Sequence, residues 1–154
     1  MPDGTLVSIH IAAGASEPVL LVDFVVAVAD RGLEGDRYFA GTGTYSHKAG
    51  PDREVTLIEA ETLEAVRGER GIDLFSGASR RNLITRGIRL NQLVGREFLV
   101  GEARLIGVRL CEPCVHLGSL TSPGVMQGLV HRGGLCAAVI RGGTLRAGDL
   151  IHTE

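Results

Sequence analysis

Along most of the chain, apolar residues recur at every second position in short runs punctuated by glycine, the pattern of brief strands joined by tight turns. The first run, Thr5 to Ile11 (TLVSIHI), predicts a strand with Val7, Ile9 and Ile11 on its core face and Leu6, Ser8 and His10 on the other. Val19 to Ala29 holds one or two more strands, and Arg53 to Ile58 (REVTLI) another. Arg80 to Thr85 (RRNLIT), Glu97 to Val100, Arg104 to Leu110 and Leu135 to Arg141 follow, separated by glycine turns at Gly87, Gly95 and Gly101. After Arg141 a Gly-Gly-Thr turn sends back Leu145 to Ile151, kinked at Gly148-Asp149.

The period changes to helical over about Glu59 to Arg70. Ala60, Leu63 and Val66 share one face, Glu59 and Glu61 stand in the first turn, and Arg67 and Arg70 in the last, which complements the helix dipole. Gly71 is the expected left-handed cap. Pro123 to Val130 predicts a short helix ending at Gly133-Gly134, and the glycine-rich polar stretch from Arg31 to His47 predicts a long loop of the kind that carries function. Many short strands with one or two peripheral helices predict a mainly β fold, a closed or nearly closed barrel that leaves few strand edges exposed.

The run RLIGVRLCEPCVHL, from Arg104 to Leu117, carries a strand into a turn that presents two cysteines. Alternation predicts Ile106, Val108 and Leu110 in the core, with Leu105, Gly107, Arg109 and Cys111 on the other face. Pro113 ends the ladder near Glu112, so Cys114 falls in the turn beyond it. A thiol beside Arg109 and His116 is placed to lose its proton more easily, and the thiolate is the form that attacks and binds metals. Cys114 is therefore the leading candidate for chemistry.

Composition narrows the choice. The 154 residues make one domain, 1–154, with enough apolar content (44%) for a core without staples. No apolar run spans a bilayer and the N-terminus lacks a secretion pattern, so the expected location is cytoplasmic, with no membrane. Three cysteines without an export signal predict reduced thiols rather than a disulfide framework. A net charge of −2 argues against a nucleic-acid partner. Of the 16 basic residues only Lys48 is a lysine; genomic codon bias accounts for most of that, and forked anion binding by Arg80 and Arg81 is the sharper reading.

Cys111-x-x-Cys114 admits a dithiol redox motif, a zinc site or a single working thiol. The first lacks its thioredoxin-like βαβ context, and the second lacks a matching second pair, although His116, His131 and Cys136 are available. Free cysteines are also common as small buried hydrophobes, which suits Cys111 and Cys136 best. Arg80-Arg81-Asn82 opens a predicted strand, so only one arginine of the two faces any one site. His131, Arg132, Gly133 and Gly134 set a ring, a cation and two amides side by side, a cradle for an oxyanion. Asp36 either binds a ligand or caps its own turn, and His47 and Lys48 read first as solvated loop residues, with His47 kept among the binding candidates.

In order along the chain, GLEGDRY (32–38), REVTLIEAE (53–61), RRNLITRGIRL (80–90), LVGREFLVG (93–101), CEPC (111–114), HRGGLCAAVI (131–140) and GGTLRAGD (142–149) resemble the MOSC domain, the C-terminal domain of molybdenum cofactor sulfurases. The resemblance implies a barrel of the pyruvate-kinase-barrel-like type with one key cysteine, which falls on Cys114. It further implies binding of the molybdenum cofactor, with the cysteine as molybdenum ligand or as persulfide carrier, and in some members reduction of N-hydroxylated compounds. Arg80, Arg81, Asn82, His131, Arg132, Gly133, Asp36 and His47 are then the cofactor-binding candidates. The implied partner is a sulfur donor or an electron-transfer reductase. The chain leaves no room for a pyridoxal-phosphate domain, and Cys111, three residues before Cys114, leaves a resolving or second-ligand role open.

Overall fold

Short strands with one apolar face bury it by closing on one another. The computed structural model describes residues 3–12, 14, 19–36, 39, 54–71, 80–111 and 133–153. Its strands are β1 (Gly4–Ile11), β2 (Leu20–Val22), β3 (Phe24–Val28), β4 (Gly32–Leu33), β5 (Val55–Glu59), β6 (Leu83–Arg86), β7 (Glu97–Val100), β8 (Ala103–Leu110), β9 (Leu135–Arg141), β10 (Gly143–Arg146) and β11 (Leu150–Thr153). Seven of them close into a barrel in the order β11-β7-β8-β9-β5-β6-β1, with β1 pairing β11, while β2 lies outside against β1. A second sheet runs β10-β3-β4. Leu6, Ile9, Leu57, Leu83, Phe98, Leu105 and Val139 are among the residues that fill the core.

β5 and β6 pair in parallel, and a parallel pair needs a crossover, which helix α1 (Ala60–Arg70) begins. Its predicted face is the one it buries: Ala60, Leu63 and Val66 are inaccessible to solvent. Ile58 and Ile84, buried yet outside the barrel core, lie on the outer faces of the two strands that α1 packs against. Gly71 takes the left-handed conformation (φ 67°) and donates its N–H to the Arg67 carbonyl at 2.9 Å.

Four expectations are corrected. The core face of β8 is inverted, with Ala103, Leu105 and Gly107 buried and Ile106 and Val108 only half-buried. Gly107 is the reason. A Cβ there would lie 2.1 Å from the Leu93 carbonyl oxygen, so the missing side chain lets the 3-10 turn Leu90–Leu93 lie against the wall. On β1, a bulge between Leu6 and Ser8 brings Leu6 into the core with Ile9. β6 starts at Leu83, because Arg80 sits in the left-handed region (φ 59°) and the ladder cannot begin there. The expected strand Leu145 to Ile151 is two strands in two sheets, β10 against β3 and β11 against β7 and β1.

The expected helix at 123–130 lies outside the described residues. No helix among the described residues is long and apolar enough to cross a membrane.

Candidate functional site

Because Ile9, Leu57 and Leu83 point into the barrel, their neighbours His10, Thr56 and Asn82 stand on its outer face, side by side on β1, β5 and the approach to β6. There they form a polar seam. The Asn82 side-chain carbonyl accepts from the Thr56 backbone N–H (3.0 Å) and hydroxyl (3.1 Å), and its amide donates to the His10 carbonyl (3.0 Å). The His10 N–H in turn donates to the Asn82 carbonyl at 2.7 Å. One buried amide thus ties three strands together.

Around this seam stand several sequence candidates. Asp36 is fully buried, and its Oδ1 accepts the Ala12 N–H at 3.1 Å, just past the end of β1. It therefore caps another segment rather than only its own turn. Arg80 and Arg81, both half-buried, immediately precede Asn82. Arg81 Nε donates to the Gly133 carbonyl at 2.7 Å, which brings the start of β9 to the seam. The alternation expected at the two arginines does not apply, since neither lies in the strand.

Gly134 explains why a glycine pair opens β9. At φ 110°, a Cβ on it would fall 1.9 Å from the Leu57 carbonyl oxygen, so no side chain fits. Its carbonyl accepts the Cys111 N–H at 2.7 Å. Cys111 and Cys136, each almost wholly buried, are joined in a disulfide with Cα atoms 5.5 Å apart. The expectation of reduced thiols is corrected here for Cys111 and Cys136. β8 and β9 pair closely enough to unite two sulfurs that are 25 residues apart in sequence, a proximity that spacing alone does not reveal.

Thus the structure brings Asp36, Arg80, Arg81, Asn82 and Gly133 to one region. Cys114, His47, His131 and Arg132 lie outside the described residues. Among the described residues, no three His, Cys, Asp or Glu side chains converge to hold a metal ion.

Sequence reasoning missed His10 and Thr56 in this region, and Glu54, two residues before Thr56. His10 is buried, its Nε2 lies 2.9 Å from Ser8 Oγ, and burial lowers its pKa, so the ring is held neutral. Thr56 completes the Asn82 network. Glu54, at the start of β5, accepts the Val139 N–H at 2.9 Å; burial, foremost, and the nearby Asp30 charge raise its pKa, against that hydrogen bond. The signal was the shared outward face of Ser8, His10, Thr56 and Asn82, polar residues that alternate with core positions.

A family model described as the MOSC domain matches residues 44–152. No curated protein matches the sequence. Among solved structures, the YuaD protein from Bacillus subtilis superposes with a TM-score of 0.80 at 16% identity, covering 100% of both chains. YiiM from Geobacillus stearothermophilus gives 0.73 at 16% identity over 98% of this chain and 75% of its own. YiiM from Escherichia coli gives 0.65 at 20% identity over 100% of this chain and 70% of its own. At these identities the structures speak for the fold.

Proposed function

Because this chain belongs to the MOSC domain family, we propose that it binds the molybdenum cofactor beside the polar seam, with Cys114 as a thiolate ligand of the metal. The observation that carries this reading is the Cys111–Cys136 pair. It occupies two of the three cysteines and leaves Cys114 as the one outside it, so Cys111 is not available as a resolving thiol or second ligand while the pair is intact.

The donor set fits such a group. Its phosphate calls for guanidinium forks, which Arg80 and Arg81 offer from adjacent positions, and its soft metal suits a thiolate. Bound there, the cofactor would supply two-electron redox chemistry at molybdenum. The protein's own part is to hold and orient. Arg81, fixed through Nε on the Gly133 carbonyl, presents a preset cation. Asn82 and Asp36 keep the ends of β1, β5 and β6 in register around it. Arg132 and His131 precede Gly133 directly in sequence and are assigned to the same anion, together with His47. N-hydroxylated compounds are the proposed substrate class and an electron-transfer reductase the proposed partner.

The test is metal and mass analysis of the full chain purified from a host that makes the cofactor. Molybdenum bound by the wild type and lost in Cys114→Ser, at an unchanged melting temperature, is the expected result. A one-sulfur mass gain on Cys114 without metal would replace ligation with persulfide carriage, and molybdenum retained in Cys114→Ser would leave a delivery module with an incidental cysteine.

A further inference from the structure

The polar seam contains one atom that its own hydrogen bonds do not explain. His10 is 3% exposed and its Nδ1 has no hydrogen-bond partner among the described residues. Every other polar group of the residue is engaged: the N–H and carbonyl both bond Asn82, and Nε2 meets Ser8 Oγ. A buried polar atom left without a partner is costly, and native proteins usually fill such a position with water or a ligand. This one belongs to a residue bonded to Asn82, directly after Arg80 and Arg81, and two residues before the Ala12 amide that Asp36 caps.

We propose that His10 contacts the ligand itself, its Nδ1 hydrogen-bonding the uncharged polar edge of a heterocycle, the pterin ring of the cofactor, while the arginines take the phosphate. This rests on the reading that a phosphorylated pterin binds beside the seam. Charge matching supports the division of labour. Desolvation keeps the imidazole neutral, which suits a neutral amide-like edge and not a phosphate dianion. Ser8 adds adaptability, since its hydroxyl either donates to Nε2 or accepts from it. The ring can therefore show the ligand an N–H or a lone pair at Nδ1, whichever the heterocycle lacks.

Two amide substitutions separate the ring's atoms. His10→Gln keeps a polar atom near Nε2, for Ser8, and removes the one at Nδ1; His10→Asn does the reverse. The full-length variants are titrated calorimetrically with a tetrahydropterin lacking phosphate and, separately, with inorganic phosphate. His10→Gln is expected to weaken tetrahydropterin binding about tenfold, the value of one hydrogen bond, and to leave phosphate binding, and the melting temperature above pH 6.5, unchanged. His10→Asn is expected to bind tetrahydropterin more tightly than His10→Gln does. Equal weakening by both variants, or none by His10→Gln, overturns the proposal. In the unmutated chain, the imidazole 15N resonance of His10 Nδ1 should shift on adding tetrahydropterin, and an unmoved resonance overturns it without any variant. A wild type that binds neither probe overturns the cofactor reading and this inference together, whereas a wild type that binds both, with His10→Gln neutral, overturns only the inference.

Discussion

Across β7, β8 and β9 the barrel is joined by backbone ladders and apolar side chains: Phe98, Val100, Leu105 and Val139 are buried, and the Arg104–Glu97 ion pair, at 3.3 Å, sits at the surface. Across β1, β5 and β6 the ladders are supplemented by buried polar side chains, His10, Asn82 and Asp36, with half-buried Thr56 among them. Apart from the Cys111–Cys136 disulfide, which ties β9 to the residue just past β8, the first region is held by many interchangeable contacts. In the second, the side chains of Asn82 and Asp36 each depend on particular partners, and His10 Nδ1 is left without one among the described residues. Such a region specifies geometry at the risk of large local losses, which suits a place that must hold a ligand.

The contrast can be broken at its strongest point, the approach of β9 to β5. Gly134→Ala would push a Cβ into the Leu57 carbonyl at a backbone conformation that only glycine adopts readily, and should cost about 4 kcal/mol or prevent folding, as read by chemical denaturation. A stable variant would mean that this contact is not what seats β9.

The disulfide comes next. Reducing it, or replacing Cys136 by Ser, releases a closed loop and should destabilise by about 3 kcal/mol in the chain-entropy account. Matched melting curves with and without a dithiol reductant check this, and identical curves would show the pair contributes nothing.

Within the seam, Asn82→Ala strands the Thr56 N–H and the His10 carbonyl, with an expected loss of about 2 kcal/mol. A loss under about 0.5 kcal/mol, typical of surface substitutions, would erase the distinction between the two regions.

The smallest effect is in pH. His10 has its pKa lowered by burial from the usual 6.5, so above that value both folded and unfolded chains hold it neutral. As pH falls below 6.5, the unfolded chain takes up the proton first and stability declines until the folded pKa is passed. Glu54 and Glu59, raised from 4.5 chiefly by burial, act oppositely: the folded chain takes up protons first, so they return stability as pH falls through their folded values toward 4.5. His10→Gln should flatten the decline just below pH 6.5 in a series of melting temperatures, and an unaltered slope would contradict the assignment.

Much of the barrel was legible because burial imprints a period on the sequence. Glu97–Val100 and Leu135–Arg141 were read with their observed limits, and α1 with its buried face and its Gly71 cap. The reading failed where a glycine or a bulge breaks the correspondence between apolar character and direction. Gly107 occupies a core position because backbone, not side chain, fills the space before it, and the bulge after Leu6 transfers that residue to the other face. At the site, Arg81, Asn82 and Gly133 were marked by motif. His10 and Thr56 were not, because their importance comes from bonds to residues distant in sequence. The Cys111–Cys136 bond was hidden for the same reason.

The central claim is that the sulfur of Cys114 binds molybdenum. X-ray absorption at the molybdenum edge, on the full chain loaded with cofactor, tests it most directly. A thiolate sulfur is expected in the metal's coordination shell and is expected to be absent from Cys114→Ser loaded in the same way; indistinguishable spectra from the two proteins would rule out ligation by Cys114.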